Sequence, residues 1–198
     1  MRDEDLYRKN VDSRLGPVAK KILHSGFPFF YEWDAVKISA ALHYYVAEKV
    51  SYEPRGRSPV RRRFRPPTEC WEKGGNCEEQ SVLLASLFGS VRGVESRWVS
   101  VRKRGGGGDH LLVFAGYRLD SKGVEQRLKD FYDGSENFDK SYRNGFAWQN
   151  RDGVSWFFAD PEFSSYIGDY GSLERDDYLW MLSDSNWEWW DKNYEYKV

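Results

Sequence analysis

Two cysteines in 198 residues are too few to build a disulfide framework, and a reducing compartment would keep both as thiols. Histidine is equally sparse: three, dispersed along the chain, which with Cys70 and Cys77 fit no zinc spacing. The short acidic clusters lack the order of a calcium loop, and the lone GGGG run falls between two strand-like segments, where it reads as a turn and not a phosphate cradle. No metal or other cofactor is expected. Long apolar runs are missing as well. Nothing approaches the roughly 18 residues of a membrane span, and the opening MRDEDLYRKNVDSRLG has no apolar stretch of a secretory signal. A soluble, cytoplasmic protein without membrane contact is the expectation. The formal net charge of −1 excludes a global electrostatic footprint for nucleic acid.

Aromatic residues, by contrast, are abundant: nine Trp, thirteen Tyr and twelve Phe, 17% of the chain. With 31% charged residues this is the composition of a folded, strand-rich protein. VAKKILHSG reads as a short helix ending at Gly26, and DAVKISAALHYYVAEKV as a longer one capped by Asp34, with Ile38, Leu42, Tyr45 and Val46 at helical spacing. SYEPRGRSPVRRRFRPP is a loop by its prolines and glycines, and Cys70 and Trp71 are expected to lie in its continuation. In GGNCEEQSVLLASLF, Asn76 and Glu79 form a capping-box pattern that puts Cys77 at the first helical position. The turns that follow are apolar almost all round, so other elements must wrap this helix. SRWVSVRK, DHLLVFAGY and VSWFFADP read as strands, the last stopped by Pro161. The charged stretch 118–152 is weakly patterned and reads as an extended hairpin or an insertion. The C-terminal segment 171–198 is acidic and Trp-rich.

Chemistry concentrates at three residues. Cys77 heads a helix, His110 opens a strand and Asp160 closes one. If those two strands pair antiparallel, the start of one lies beside the end of the other, and a helix docked there by its N-terminus brings the thiol to both. A thiol, an imidazole that exchanges its proton and a carboxylate that fixes the tautomer form a Cys–His–Asp triad. A helix N-terminus favours the thiolate and offers N–H groups to an oxyanion. Glu78 and Glu79 act against the thiolate unless they turn aside or cap the helix, and the imidazolium of His110 is expected to outweigh them.

In this order, GGNCEEQSVLLASLF, VESRWVSVRKRGGGG, DHLLVF and WFFADP resemble the transglutaminase-like superfamily of papain-like cysteine enzymes, over roughly residues 36–162. Leu111 departs mildly from the aromatic or small residue that family members carry after the His. The resemblance implies an α+β fold: a buried Cys-bearing helix packed on an antiparallel sheet, in a core at 34–170 with the 118–152 insertion. Residues 1–33 form an N-terminal helical extension, and 171–198 follow the core. It implies Cys77 as nucleophile, His110 as general base and acid, and Asp160 as orienting carboxylate. The activity implied is acyl transfer on amides of a protein or peptide, with hydrolysis by a peptidase or amidase favoured. Transglutaminase cross-linking and a catalytically silent binding module on the same fold are the alternatives.

Around that core the roles are weaker. Trp71 and Asn76 are candidates for shaping the site or serving an oxyanion, though plain packing is the commoner role of such a Trp. Arg61, Arg62 and Arg63 belong to a run of six arginines from Arg55 to Arg65 that suits an acidic patch on a protein substrate. Phe64 alone offers a base something to stack on, so nucleic acid is disfavoured. Cys70 reads as an ordinary side chain, with a regulatory Cys70–Cys77 disulfide as the alternative. His24 and His43 read as structural or solvent-facing. Asp109 alternates to the opposite strand face from His110, so Asp160 is the better orienter. Trp187, Trp189 and Trp190 suggest a hydrophobic flap.

Overall fold

The structure, a computed structural model, describes residues 13–27, 30–54, 64–103, 109–134, 145–162, 164–169 and 178–182. Among these residues, five α-helices and five strands follow one another as α1 (Gly16–Gly26), α2 (Ala35–Lys49), α3 (Pro67–Lys73), α4 (Cys77–Gly89), β1 (Val94–Lys103), β2 (Asp109–Tyr117), α5 (Ser121–Asp133), β3 (Trp148–Arg151), β4 (Val154–Ala159) and β5 (Tyr178–Leu182). The strands form one antiparallel sheet in the order β3-β4-β2-β1-β5, and the fold is α+β. Among the described residues no helix is long and apolar enough to cross a membrane.

Helix α4 is the axis of the core. From Glu79 to Phe88 every residue is buried, and α4 packs on β1 and β2 as well as on α2 and α3. Its serines serve this burial: Ser81 Oγ donates to Leu111 O at 2.5 Å on β2, while Ser96 Oγ of β1 donates to Ala85 O at 3.2 Å. In β2 the alternation is clean. Leu111, Val113, Ala115 and Tyr117 face the helical layer's core, and Phe114 packs edge-on against Phe158 of β4 at 5.7 Å. Helix α1 lies on α2 and α4 with Ala19, Ile22 and Leu23 buried.

Two expectations are corrected. Cys70 and Trp71 lie on α3, not in a loop; the short helix starts with Pro67 in its first turn, where a missing N–H costs nothing. The 118–152 stretch holds an amphipathic helix, α5, which buries Val124, Leu128, Phe131 and Tyr132 against the core and caps its start through Asp120 Oδ1, which accepts from Gly123 N at 2.8 Å. Its end is a hairpin: β3 turns into β4 through Asp152 and Gly153, both at positive φ (53° and 74°), as a two-residue turn requires. Part of the C-terminal segment adds β5 to the edge of β1. Arg61, Arg62, Arg63, the GGGG run and the Trp187–Trp190 cluster lie outside the described residues.

The two glycines before Asn76 are a packing requirement. Gly74 ends α3 at φ 79°, and a Cβ there would collide with the Ser51 carbonyl. At Gly75 a Cβ would meet Cys70 Sγ at 2.7 Å and Glu79 Cβ at 2.8 Å. The close approach lets Gly75 N donate to Ser51 O (3.0 Å) and its carbonyl accept from Glu53 N (2.9 Å), which ties the start of α4 to the end of α2. Gly74→Ala and Gly75→Ala are each expected to lower unfolding free energy by about 2–3 kcal/mol in urea titration. Gly89→Ala, with nothing within 4 Å, should change it by less than about 1 kcal/mol. Equal effects at all three positions would contradict this packing.

Candidate active site

Cys77 occupies the first position of α4, placed there by a complete capping box. Asn76 Oδ1 accepts from Glu79 N at 3.0 Å, and Glu79 Oε2 accepts from Asn76 N at 3.1 Å. Glu79 Oε1 also accepts from Arg65 N at 2.8 Å, so this carboxylate caps and anchors, one of the two ways it could leave the thiolate undisturbed. Arg65, last of the arginine run, is a brace. Its guanidinium donates to the carbonyls of Lys73 and Gly74 and pairs with Glu53 at 2.8 Å. Among the described residues the Cys77 N–H takes no protein acceptor, so one donor stays at the helix start beside the thiol. Neither cysteine is in a disulfide; Cys70 is buried and Cys77 half-buried.

His110 and Asp160 arrive through sheet register. Strands β2 and β4 pair antiparallel from Tyr117↔Ser155 to Val113↔Ala159. Continuing that register brings His110 opposite the turn Asp160–Glu162 that Pro161 enforces. His110 Nε2 lies 2.9 Å from Asp160 Oδ2, both groups buried. The ring also lies beside Cys77, whose Sγ is within 4.8 Å of a His110 nitrogen. Burial pulls the imidazole's pKa down, but the hydrogen bonds to Asp160 and Cys77 and the charges of both push harder, and it rises from 6.5 to about 10. At neutral pH the ring is an imidazolium between two acidic partners.

Asp160 has no solvent exposure, and every part of it is held. Oδ1 accepts from Glu162 N at 2.8 Å, and its backbone carbonyl accepts from Ser164 N at 3.2 Å and faces His43 Nε2 at 3.2 Å. His43 comes from α2, fully buried, and burial lowers its pKa to about 4 despite the nearby Asp160. A neutral ring then donates Nε2–H to the carbonyl. Its structural role was expected; its target was not. His24, by contrast, is exposed on α1 and sits edge-on to Phe30.

The remaining residues fall out as follows. Trp71's indole N–H donates to Tyr45 Oη at 3.3 Å, with Lys21 over its ring, so that donor is engaged away from an oxyanion. Asn76 is committed to the cap through its Oδ1 and backbone. Glu162 is the residue that sequence reading missed: its Oε2 lies 3.6 Å from His110 Nδ1, and its donor atom lies within 4.8 Å of both Cys77 Sγ and the His110 nitrogen. The signal was the DPE order, which sets a second carboxylate two residues after Asp160 in the turn that follows β4. The side chain of Asp109 lies outside the described residues. Compared with known protein families, with curated proteins and with solved structures, the chain matches none.

The two histidines flanking Asp160 have opposite linkage. His110, raised to about 10, contributes stability that is full below pH 6.5 and lost as pH rises toward 10. His43, lowered to about 4, favours the folded state above pH 6.5, and that advantage is lost as pH falls toward 4. Thermal unfolding against pH is expected to show a stability maximum near pH 6.5. His110→Gln should flatten the alkaline limb and His43→Gln the acid limb, the latter costing about 1–2 kcal/mol at neutral pH. Limbs unchanged by either variant would contradict these assignments.

Proposed function

We propose that this protein is a thiol-dependent acyl-transfer enzyme acting on amide bonds of a protein or peptide, with hydrolysis as its favoured outcome, on a transglutaminase-like core of the papain-like kind. The observation that carries the reading is the placement of His110, its Nε2 2.9 Å from buried Asp160 and a ring nitrogen within 4.8 Å of Cys77 Sγ at a capped helix start. The α+β arrangement of a buried helix on an antiparallel sheet agrees with it.

The chemistry follows from the placement. The Cys77 thiolate attacks the amide carbonyl carbon, forming a C–S bond, while the Cys77 N–H supports the developing oxyanion. His110 gives its proton to the nitrogen as the C–N bond breaks, and an amine or ammonia leaves. Neutral His110 then takes a proton from water attacking the thioester; the acid departs and the proton restores the imidazolium–thiolate pair. Asp160 keeps the ring oriented and its Nε2–H engaged throughout.

The test is intact-mass detection of a one-to-one adduct with a peptide bearing an amide-mimicking electrophile. Cys77 is expected to react and Cys70 to stay unmodified, with no adduct in Cys77→Ala. Asp160→Asn, isosteric at a buried site, is expected to keep the fold and slow turnover by roughly 10²–10⁴-fold. With a glutamine-bearing protein and a tagged primary amine, ammonia release or chain cleavage without labelling supports hydrolysis. Amine labelling makes the enzyme a transglutaminase. Equal alkylation of both thiols, with no acyl transfer over a broad substrate panel, would leave a binding module instead.

A further inference from the structure

Three side chains converge on one point: Cys77 Sγ from the start of α4, a His110 ring nitrogen from β2, and a Glu162 carboxylate oxygen from the turn after β4, all within 4.8 Å of one another. With Nε2 taken by Asp160, the nitrogen that faces Glu162 is Nδ1, at 3.6 Å from Oε2. We propose that Cys77, His110 and Glu162 form a binding site for a divalent zinc-class cation, whose occupancy blocks the Cys77 thiol.

The donor set fits such an ion. Thiolate, imidazole and carboxylate are the ligand types zinc takes, at about 2.0–2.3 Å each, which puts neighbouring donors roughly 3.3–3.7 Å apart in a tetrahedron. The His110–Glu162 separation of 3.6 Å already lies in that range, and the other pairs need to close by about an ångström at most. Glu162 is half-buried and Cys77 is half-buried, so both side chains have room to adjust and the fourth position opens toward solvent. The support behind the ligands is also present. Asp160 accepts from the far nitrogen of His110, as carboxylates do behind metal-bound histidines, where they fix the ring and raise its basicity. Glu162 is steadied by its own N–H on Asp160 Oδ1. Among the described residues, Glu79 is spent on the cap and Cys70 is buried in the core.

Binding replaces the proton held between Cys77 and His110, which passes to solvent, and ties up the sulfur lone pair that would attack a carbonyl. Metal and substrate acyl group therefore exclude each other. The site does not depend on Cys77 being a nucleophile, so the two readings fail separately.

The test is titration of the reduced full-length protein with Co²⁺ alone, followed by Zn²⁺ as competitor. A single equivalent of Co²⁺ is expected to give a near-ultraviolet thiolate-to-cobalt band and intense visible bands of low coordination number, both abolished by Zn²⁺ and absent in Cys77→Ser. Glu162→Gln, isosteric and partly exposed, is expected to fold as the parent does and to weaken Co²⁺ binding at least tenfold. Zn²⁺ should protect Cys77 from alkylation in the parent at concentrations that leave Glu162→Gln reactive. No thiolate band, a band that survives Cys77→Ser, or affinity unchanged in Glu162→Gln would each overturn the site. A protein that alkylates rapidly at Cys77 yet gives no cobalt band loses this site and keeps the acyl-transfer reading; a band on an unreactive thiol does the reverse.

Discussion

A carboxylate with no solvent exposure, Asp160, faces an imidazole that is almost as deeply buried, and most of the site follows from that contact. Burying one charge alone costs several kcal/mol, so the two must meet and their remaining polar atoms must be satisfied. The structure meets this from three sides. Glu162 N–H occupies the second carboxylate oxygen, Ser164 N–H and His43 occupy the backbone carbonyl, and the ring's other side turns to Cys77 and Glu162. Histidine at the Asp160 carbonyl is a telling choice. Burial keeps His43 neutral, so it donates a hydrogen bond without adding a second positive charge that would compete with His110 for the carboxylate.

The thiol is brought to this pair by steric means more than by attraction. Two glycines without side chains let the strand-like segment at Ser51–Glu53 lie against the turn before α4, and Glu79 closes both the cap and the contact to Arg65. A helix so thoroughly apolar is fixed in the core by its whole length, and its first residue inherits that rigidity. Placement within a fraction of an ångström is what thiol chemistry needs, and a side chain on a buried helix supplies it better than one on a loop. A thiol, an imidazole and a carboxylate held at such spacing would suit the substrate carbonyl or the metal proposed above.

Much of this was legible in the residues because it is local. The Asn76–Glu79 box, the Asp34 cap, the β2 and β4 strands and the identity of the three residues Cys77, His110 and Asp160 each depend on a few consecutive positions. Helix α5 was missed: Asp120 and the spacing of Val124, Leu128 and Phe131 mark it, but its high charge hid the apolar stripe. Helix α3 was obscured by the proline-rich approach, since Pro67 signals a break and also a favoured first turn. His43 and Glu162 are different. Neither sits in a pattern with its partner: one reaches Asp160 across 117 positions, and the other reaches His110 only once register and the Pro161 turn are set. Such contacts are properties of the assembled sheet edge.

The central claim is that His110 is an imidazolium at neutral pH because Asp160 and Cys77 hold it from opposite sides. Nitrogen-15 NMR of the histidine ring in the metal-free, reduced protein reads this directly. The account predicts that both ring nitrogens of His110 carry protons at pH 7–8, and that Cys77→Ala or Asp160→Asn each moves the loss of a proton to lower pH. A neutral His110 at pH 7 in the parent protein, unchanged by either substitution, would contradict it.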